Sequence, residues 1–154
     1  NIALDIRRRN DAPMWGVFDP DGSALWGRVV VAHAAWKPSI RHAKRDKVRW
    51  FCLYGPSTGK TDENGFPERL DWRVRYPHHA PWCITGHTPF LGPVEPVENT
   101  VCIDTACVFG GTLSAWRWPA QTLLQVAAKQ TWSTHQGGLG DKPHYVNVDH
   151  RATR

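Results

Sequence analysis

The sequence predicts a single α/β domain, on three observations. Short apolar runs that are typical of buried strands recur at 29–32, 82–85 and 100–105. A basic segment that follows Pro38 has the character of a helix. The 154 residues are 41% hydrophobic and 21% charged, which suits one domain with its own core and argues against global disorder.

The first third of the chain predicts one strand and one helix. Residues 1–28 are polar and turn-rich, with a strong turn signal in Asp19-Pro20-Asp21-Gly22. Residues 29–32 predict a buried strand, and Pro38 opens a predicted helix that continues to Arg49. Residues 50–54 complete this element, either as its last helical turns or as a separate strand.

The remainder of the chain predicts a long loop and then mainly strands. Residues 55–81 are rich in Gly, Pro, Asp and Asn, and loops of this length tend to be functional. The Gly110-Gly111 pair can turn a hairpin between the two strands that flank it. We expect a domain over 1–130 and a polar, mobile tail over 131–154. The predicted strands are 82–85, 100–105, 112–118 and 121–128.

Composition limits the partners and the compartment. The net charge is +5 and the pI is about 9.3, which favours anionic partners such as phosphate esters or nucleic acid. None of the four cysteines forms a Cys-x-x-Cys pair and three lie in apolar runs, so we expect reduced thiols and a cytoplasmic protein. The sequence has no apolar run long enough for a transmembrane helix, so we do not expect a membrane partner. The chain begins without Met, which fits a fragment or a processed chain, and its oligomeric state is left open.

The segment from Gly55 to Thr61 resembles a phosphate-binding P-loop, but its spacing excludes that function. Three residues, rather than four, separate Gly55 from the Gly-Lys pair, and residues 62–67 do not favour the helix that must follow. Two interpretations stay open. The segment is a glycine-rich surface loop, or it folds over a phosphate site with Lys60 or Arg69 in contact with substrate.

Two histidines follow predicted strands directly. His33 comes after 29–32, and His87 comes after 82–85 within Gly86-His87-Thr88-Pro89. Phosphate-ester hydrolysis at neutral pH needs a hydroxide and charge neutralisation, which a pair of metal ions supplies, and neutral imidazole is a common metal ligand. The shared context predicts that the two rings converge on one metal site. The alternative for each is a turn residue or a hydrogen-bonded core histidine.

Asp104 is the third candidate site residue. It lies in the predicted strand 100–105 among apolar residues. A carboxylate in this position can orient a metal ligand. Equally, it can be a buried aspartate that accepts hydrogen bonds from backbone amides.

The chain is unusually rich in tryptophan, with nine residues. Trp116 and Trp118 alternate along a predicted strand, so we expect them to pack on one face of a sheet. The alternative is a stacking platform for single-stranded nucleic acid, because Arg117 lies between them.

In combination, these segments resemble the calcineurin-like metallophosphoesterases. The likeness runs from about Val29 to Val126 and is closest to the phosphatase domain of bacterial polynucleotide kinase-phosphatases and to diadenosine tetraphosphatase-like enzymes. The order and spacing of Gly-His-Thr-Pro and Ile-Asp-Thr…Gly-Gly are fairly specific to the superfamily and less specific for substrate. The segments that carry the resemblance are 29–34, 53–65, 86–89 and 99–115.

The resemblance implies a calcineurin-like β-sandwich flanked by helices, with two divalent metal ions between the sheets. Manganese is the expected metal, with iron, zinc or magnesium as alternatives, and His33 and His87 would be ligands. The family's Asp-x-His, Gly-Asp-x-x-Asp-Arg-Gly and Gly-Asn-His-Glu motifs do not occur in this sequence. The chain therefore resembles the C-terminal half of such a domain. The general acid is expected in the N-terminal half, and efficient activity of this chain alone is not expected.

The predicted function of the parent protein is metal-dependent hydrolysis of phosphoric esters. The expected substrates are nucleotides or nucleic-acid ends, with phosphoproteins as a further class. The alternative is a non-catalytic, basic binding module that keeps the fold and binds nucleic acid or another phosphorylated partner.

Overall fold

The computed structural model of the protein describes residues 5–8, 15–18, 29–40, 43–63, 65–135 and 137–146. Short 3-10 helices occur at Pro38–Ile40, Arg73–Arg75 and Cys107–Phe109. The strands and the α-helix are, in chain order, β1 (Asp5–Arg8), β2 (Trp15–Phe18), β3 (Val29–Val31), α1 (Arg45–Tyr54), β4 (Ser57–Thr61), β5 (Pro67–Arg69), β6 (Trp82–Thr85), β7 (Thr100–Cys102), β8 (Thr112–Arg117) and β9 (Thr122–Ala127).

The described strands form one mixed sheet and two small antiparallel sheets. The mixed sheet has the order β1-β2-β3-β6-β7. Strands β1, β2 and β3 are antiparallel neighbours, whereas β3, β6 and β7 run parallel. Strands β4 and β5 form one further pair, and β8 and β9 form the other. The α/β class is therefore confirmed, and the calcineurin-like sandwich stays a prediction.

The parallel strands are buried on both faces. Val30 and Cys83 face a core cluster that includes Val48 and Cys52 of α1. On the opposite face, a smaller cluster contains Val29, Ile84 and Val101. Because both faces are covered, these short strands are almost entirely apolar, as is usual for parallel strands.

The β8–β9 hairpin covers the second face through tryptophan side chains. The ring centroid of Trp82 lies 6.1 Å from that of Trp116 and 5.8 Å from that of Trp118. Trp116, in β8, and Trp118, just after it, are both partly buried against the cluster that contains Val29 and Val101. The prediction that Trp116 and Trp118 pack on one face of a sheet is thus confirmed.

The helix begins later than the sequence predicts. Pro38–Ile40 is a separate 3-10 helix, and α1 covers Arg45–Tyr54, so residues 50–54 are its last turns. The amide of Ala43 donates to the carbonyl of Ile40 at 3.0 Å, a turn tighter than the α-helical one. The helix ends where Gly55 adopts a φ of 69°, a left-handed value that glycine tolerates.

The prediction of one long loop over 55–81 is wrong, because a hairpin of β4 and β5 and a 3-10 helix lie within it. The turn between the strands is built on Asp62, whose Oδ1 accepts a hydrogen bond from the amide of Phe66 at 2.9 Å. Asp62 and Gly65 therefore belong to one tight turn, in which the amide of Gly65 donates to the carbonyl of Asp62 at 3.0 Å. Residues 57–61 form a strand, which agrees with the exclusion of a P-loop from the spacing.

The predicted hairpin at Gly110-Gly111 is also wrong. Strand β7 pairs with β6, whereas β8 pairs with β9. The glycines serve another purpose, since a Cβ on Gly111 would lie 2.2 Å from the carbonyl oxygen of Thr105. Gly111 is required where the chain passes close to its own backbone after the 3-10 helix.

The N-terminal segment contains strands that the sequence did not predict. Strands β1 and β2 lie within residues 1–28, which were interpreted as turn-rich. The turn predicted at 19–22 lies outside the described residues.

The segment predicted to be a tail contacts the rest of the chain at its described residues. The amide of Val146 donates to the carbonyl of Arg69 at 2.8 Å, and the amide of Leu91 donates to the carbonyl of Gly140 at 2.9 Å. The guanidinium of Arg73 lies 4.4 Å from the ring centroid of Tyr145. The mobility of this segment and the boundary at residue 130 stay predictions.

Two compositional expectations can be compared with the described residues. All four cysteines are free, and Cys52, Cys83 and Cys102 are buried, which confirms them as core thiols. Among the helices of the described residues, none has the length and apolar character that crossing a membrane requires.

Candidate functional site

The two predicted histidines meet at the carboxyl ends of neighbouring parallel strands. His33 lies two residues beyond β3 and His87 lies two residues beyond β6. The strand ends are held together where the amide of Gly86 donates to the carbonyl of His33 at 2.9 Å. The ring centroids of His33 and His87 are 4.6 Å apart, with an angle of 56° between the planes. The structure therefore brings together the two rings that the sequence predicts to converge.

The backbone of His87 has an uncommon conformation. Its φ is 70°, in the left-handed region that non-glycine residues seldom adopt. Residues of this kind persist where their surroundings hold them, and they cluster at functional sites. Here the hydrogen bond between Gly86 and His33 precedes the residue, and buried Thr88 follows it.

Asp104 extends the same edge of the sheet. Strand β7 ends at Cys102, earlier than the predicted end at residue 105, so Asp104 also lies two residues beyond its strand. Its carboxylate lies next to Gly86, where an added Cβ would come within 3.8 Å of Oδ2. The Oδ1 atom accepts a long hydrogen bond of 3.4 Å from the amide of Ala106. Three neighbouring parallel strands thus each carry one candidate side chain at the same position.

Electrostatics favour a neutral imidazole at His87. Burial, together with the charges of Arg69 and His33, lowers the pKa of His87 to about 4. The His33 side chain is exposed, whereas that of His87 is half-buried. A neutral imidazole has a free lone pair on one ring nitrogen, which is the form that binds metal ions.

A large open cavity adjoins these residues. Its volume is about 1210 Å³, and His33, His87 and Asp104 all line it. Arg69, predicted as a substrate contact, lines it as well. Lys60, the other predicted contact, is exposed on β4 and is outside this lining.

Sequence reasoning missed the C-terminal contribution to this cavity. The described part of the segment from 131 onward supplies one wall, including Ser133, His135, Lys142 and His144. The ring of His135 stacks on Phe66 with centroids 5.7 Å apart. The only signal in the sequence is the set of histidines scattered through a glycine-rich stretch of the predicted tail.

A metal ion would need more ligands than the described residues bring together. Within the described ranges, no three His, Cys, Asp or Glu side chains come together in a way that could hold a metal ion. The two imidazoles are of a ligand type that metal ions prefer, and their rings lie close together. Each ion, however, needs four or more ligands. The role of His33 and His87 as ligands therefore stays a prediction.

Comparison with known proteins finds relatives with a phosphatase name, while no family model matches the chain. An asymmetrical bis(5'-nucleosyl)-tetraphosphatase PrpE of Geobacillus thermodenitrificans is 43% identical over 121 residues, which are 79% of this chain and 46% of the relative. The protein of the same name from Oceanobacillus iheyensis is 41% identical over 102 residues, covering 66% of this chain and 40% of the relative. That of Bacillus velezensis is 36% identical over 127 residues, covering 82% and 48%.

The chain thus spans less than half the length of these relatives. The names of these relatives describe hydrolases that act on a phosphorylated small molecule. This class is consistent with the metallophosphoesterase resemblance. The likeness to polynucleotide kinase-phosphatases stays a prediction.

Proposed function

We propose that this chain is part of a metal-dependent hydrolase that cleaves the phosphate chain of a bis(5'-nucleosyl) tetraphosphate. The observation that carries the proposal is the convergence of His33 and His87, with ring centroids 4.6 Å apart, at the strand ends that border a cavity of about 1210 Å³. The similarity to proteins named as tetraphosphatases indicates the substrate class.

The proposed cofactor is a pair of divalent metal ions, with manganese foremost. When bound, the ions supply charge neutralisation at the phosphoryl oxygens and an activated nucleophile. His33 and His87 would hold part of this centre. Burial keeps the pKa of His87 well below neutral, so its imidazole is available as a ligand without first losing a proton.

Two further side chains have proposed roles at the same edge. Arg69 lines the cavity and carries a permanent charge, so its guanidinium suits a phosphate oxygen. Asp104 lies against Gly86 and would orient the neighbouring imidazoles. We propose that the remaining ligands and the general acid come from an N-terminal half, which would also complete the calcineurin-like sandwich.

The alternative is a binding module without catalysis. It is favoured by the described residues themselves, since no three ligand-type side chains meet there. In that case, the cavity and the basic side chains would bind a phosphorylated partner and no hydrolysis would follow.

A hybrid protein tests the two functions against each other. This chain would be joined to the N-terminal half of the Geobacillus thermodenitrificans relative, and manganese binding and hydrolysis of a bis(5'-nucleosyl) tetraphosphate would be measured. Because even residues that only support a ligand contribute about 10- to 100-fold, we expect His33→Ala or His87→Ala to lower kcat/KM by roughly a hundredfold or more.

The matched control is His78→Ala, since the His78 side chain is 88% exposed and outside the lining of the cavity. Circular dichroism establishes that each variant is folded. A folded hybrid that binds no manganese and hydrolyses nothing would contradict the enzyme and support the binding module.

A further inference from the structure

A second cavity opens beside the first, on the exposed side of α1. Its volume is about 500 Å³, within the usual range for small-molecule sites. Arg69 and Pro67 line both cavities, so the two are adjacent. The side chains of α1 that line the smaller cavity include Lys47, Trp50 and Tyr54.

Two exposed aromatic rings dominate this smaller cavity. Trp50 is 64% exposed and Tyr54 is 44% exposed, although both are large and apolar. Their spacing of four residues places them on one face of the helix, with ring centroids 4.7 Å apart and 35° between the planes. Exposed aromatic surface of this kind commonly marks a binding site.

The charges around the rings are positive. Lys47 lies one helical turn before Trp50, and Arg69 faces the rings from β5. Burial lowers the pKa of Arg69, but a guanidinium stays charged at any physiological pH. Trp116-Arg117-Trp118, the aromatic and basic combination in the sequence, is different, because the structure uses its tryptophans in packing.

The aromatic rings also lead towards the histidines. The ring centroid of Tyr54 lies 6.4 Å from that of His87, in an edge-on arrangement. Trp50, Tyr54, His87 and His33 therefore follow one another from the smaller cavity into the larger one. A ligand with a flat ring at one end and phosphates at the other matches this arrangement.

We propose that Trp50 and Tyr54 form a stacking site for the base of a nucleotide whose phosphates extend past Arg69 towards His33 and His87. The direction of the phosphates rests on the proposed function, whereas stacking of the base needs neither metal nor hydrolysis. A small ligand is favoured over a protein segment because the site is concave, has cationic side chains at its edge and shares Arg69 with the adjacent histidine cavity.

The test compares ATP with inorganic triphosphate on this chain, by calorimetry in the presence of EDTA. Base stacking strengthens binding by roughly tenfold or more, so ATP should bind correspondingly tighter than triphosphate. Trp50→Ala should lower the affinity for ATP by roughly tenfold and leave that for triphosphate unchanged. Trp50→Phe, which keeps a ring, should restore most of the loss.

Trp132→Ala is the matched control, because Trp132 is 66% exposed and lies outside both linings. It should change neither affinity. Equal affinities for ATP and triphosphate would overturn the proposal, as would absence of ATP binding or equal effects of the two tryptophan variants. The exposed surface of Trp50 would then be explained by a protein segment that covers it.

The proposed function can fail separately from this inference. If the hybrid protein hydrolyses nothing but ATP still binds through Trp50, only the hydrolase is contradicted. If hydrolysis occurs and Trp50→Ala leaves ATP affinity unchanged, only the base site is contradicted.

Discussion

The parallel strands β3, β6 and β7 differ from the β8–β9 hairpin in how completely they are covered. Val101 of β7 is 1% exposed, whereas Val126 of β9 is 70% exposed. The parallel strands have apolar clusters on both faces, but the hairpin buries one face through Trp116 and leaves Leu113 and Leu124 exposed on the other. Similar apolar sequences thus have different surroundings, and of these two regions only the parallel strands lead to the histidines of the candidate site.

The first prediction that tests this comparison is the stability lost when the same side chain is truncated in each region. Val101→Ala removes buried carbon atoms from the cluster below the site, so we expect a loss of about 2 kcal/mol in the free energy of unfolding. Val126→Ala removes the same atoms from an exposed position and should cost within about 0.5 kcal/mol. Urea unfolding measures both.

Equal losses for the two variants would contradict the comparison. In particular, a large loss at Val126 would mean that the outer face of the hairpin is covered in solution. The pair has the same chemistry and differs only in burial, so no correction for side-chain type is needed.

Sequence patterns predicted the buried strands well because burial leaves a signal in residue type. Strand β6 has the predicted bounds, 82–85. Strand β7 stops before the predicted end at residue 105. Apolar Ile103 and buried Thr105 continue the strand-like pattern in the sequence. In the structure, however, the chain has already left the strand at Asp104, whose carbonyl accepts a hydrogen bond from the amide of Phe90. Strands β4 and β5 are polar and mostly exposed, so hydrophobic periodicity gave no indication of them.

The candidate site was predictable to a similar extent. The strand-end context of His33 and His87 indicated their convergence, because parallel strands end at one edge of a sheet. The wall formed by residues after 131 was not predictable. That segment is attached partly by backbone hydrogen bonds, such as those of Val146 and Gly140, which depend on no particular side chain.

A second prediction tests the attachment of that wall to the parallel-strand region. A Cβ on Gly92, in the loop after β6, would lie 2.0 Å from the carbonyl oxygen of Asp141. Gly92→Ala must therefore displace one of the two backbones, and we expect a cost of about 1 to 3 kcal/mol, as for other overpacked positions. Limited proteolysis at Lys142 should become faster.

Gly140→Ala is the control for this prediction. An added Cβ there would meet nothing nearer than a backbone atom at 3.8 Å. We expect unchanged stability and unchanged cleavage at Lys142. Rapid cleavage in the unsubstituted protein, equal to that of Gly92→Ala, would instead support the mobile tail predicted from composition.

A third prediction is a dependence of stability on pH that arises from His87. The pKa of His87 is lowered to about 4 in the folded protein by burial and by the charges of Arg69 and His33. An unfolded histidine has a pKa of about 6.5, so the unfolded chain binds more protons between these values. The contribution of His87 to stability is fully present above about pH 6.5 and is lost as the pH falls towards 4.

Urea unfolding between pH 4 and 7 in EDTA, with and without His87→Asn, measures this dependence. Asparagine does not titrate and tolerates the left-handed backbone that His87 adopts. We therefore expect the variant to lose less stability on acidification than the unsubstituted protein does. If the free energy of unfolding changes with pH equally in both proteins, the His87 imidazole is as well solvated in the folded protein as in the unfolded chain. The edge of the parallel sheet would then be as open to solvent as the outer face of the hairpin.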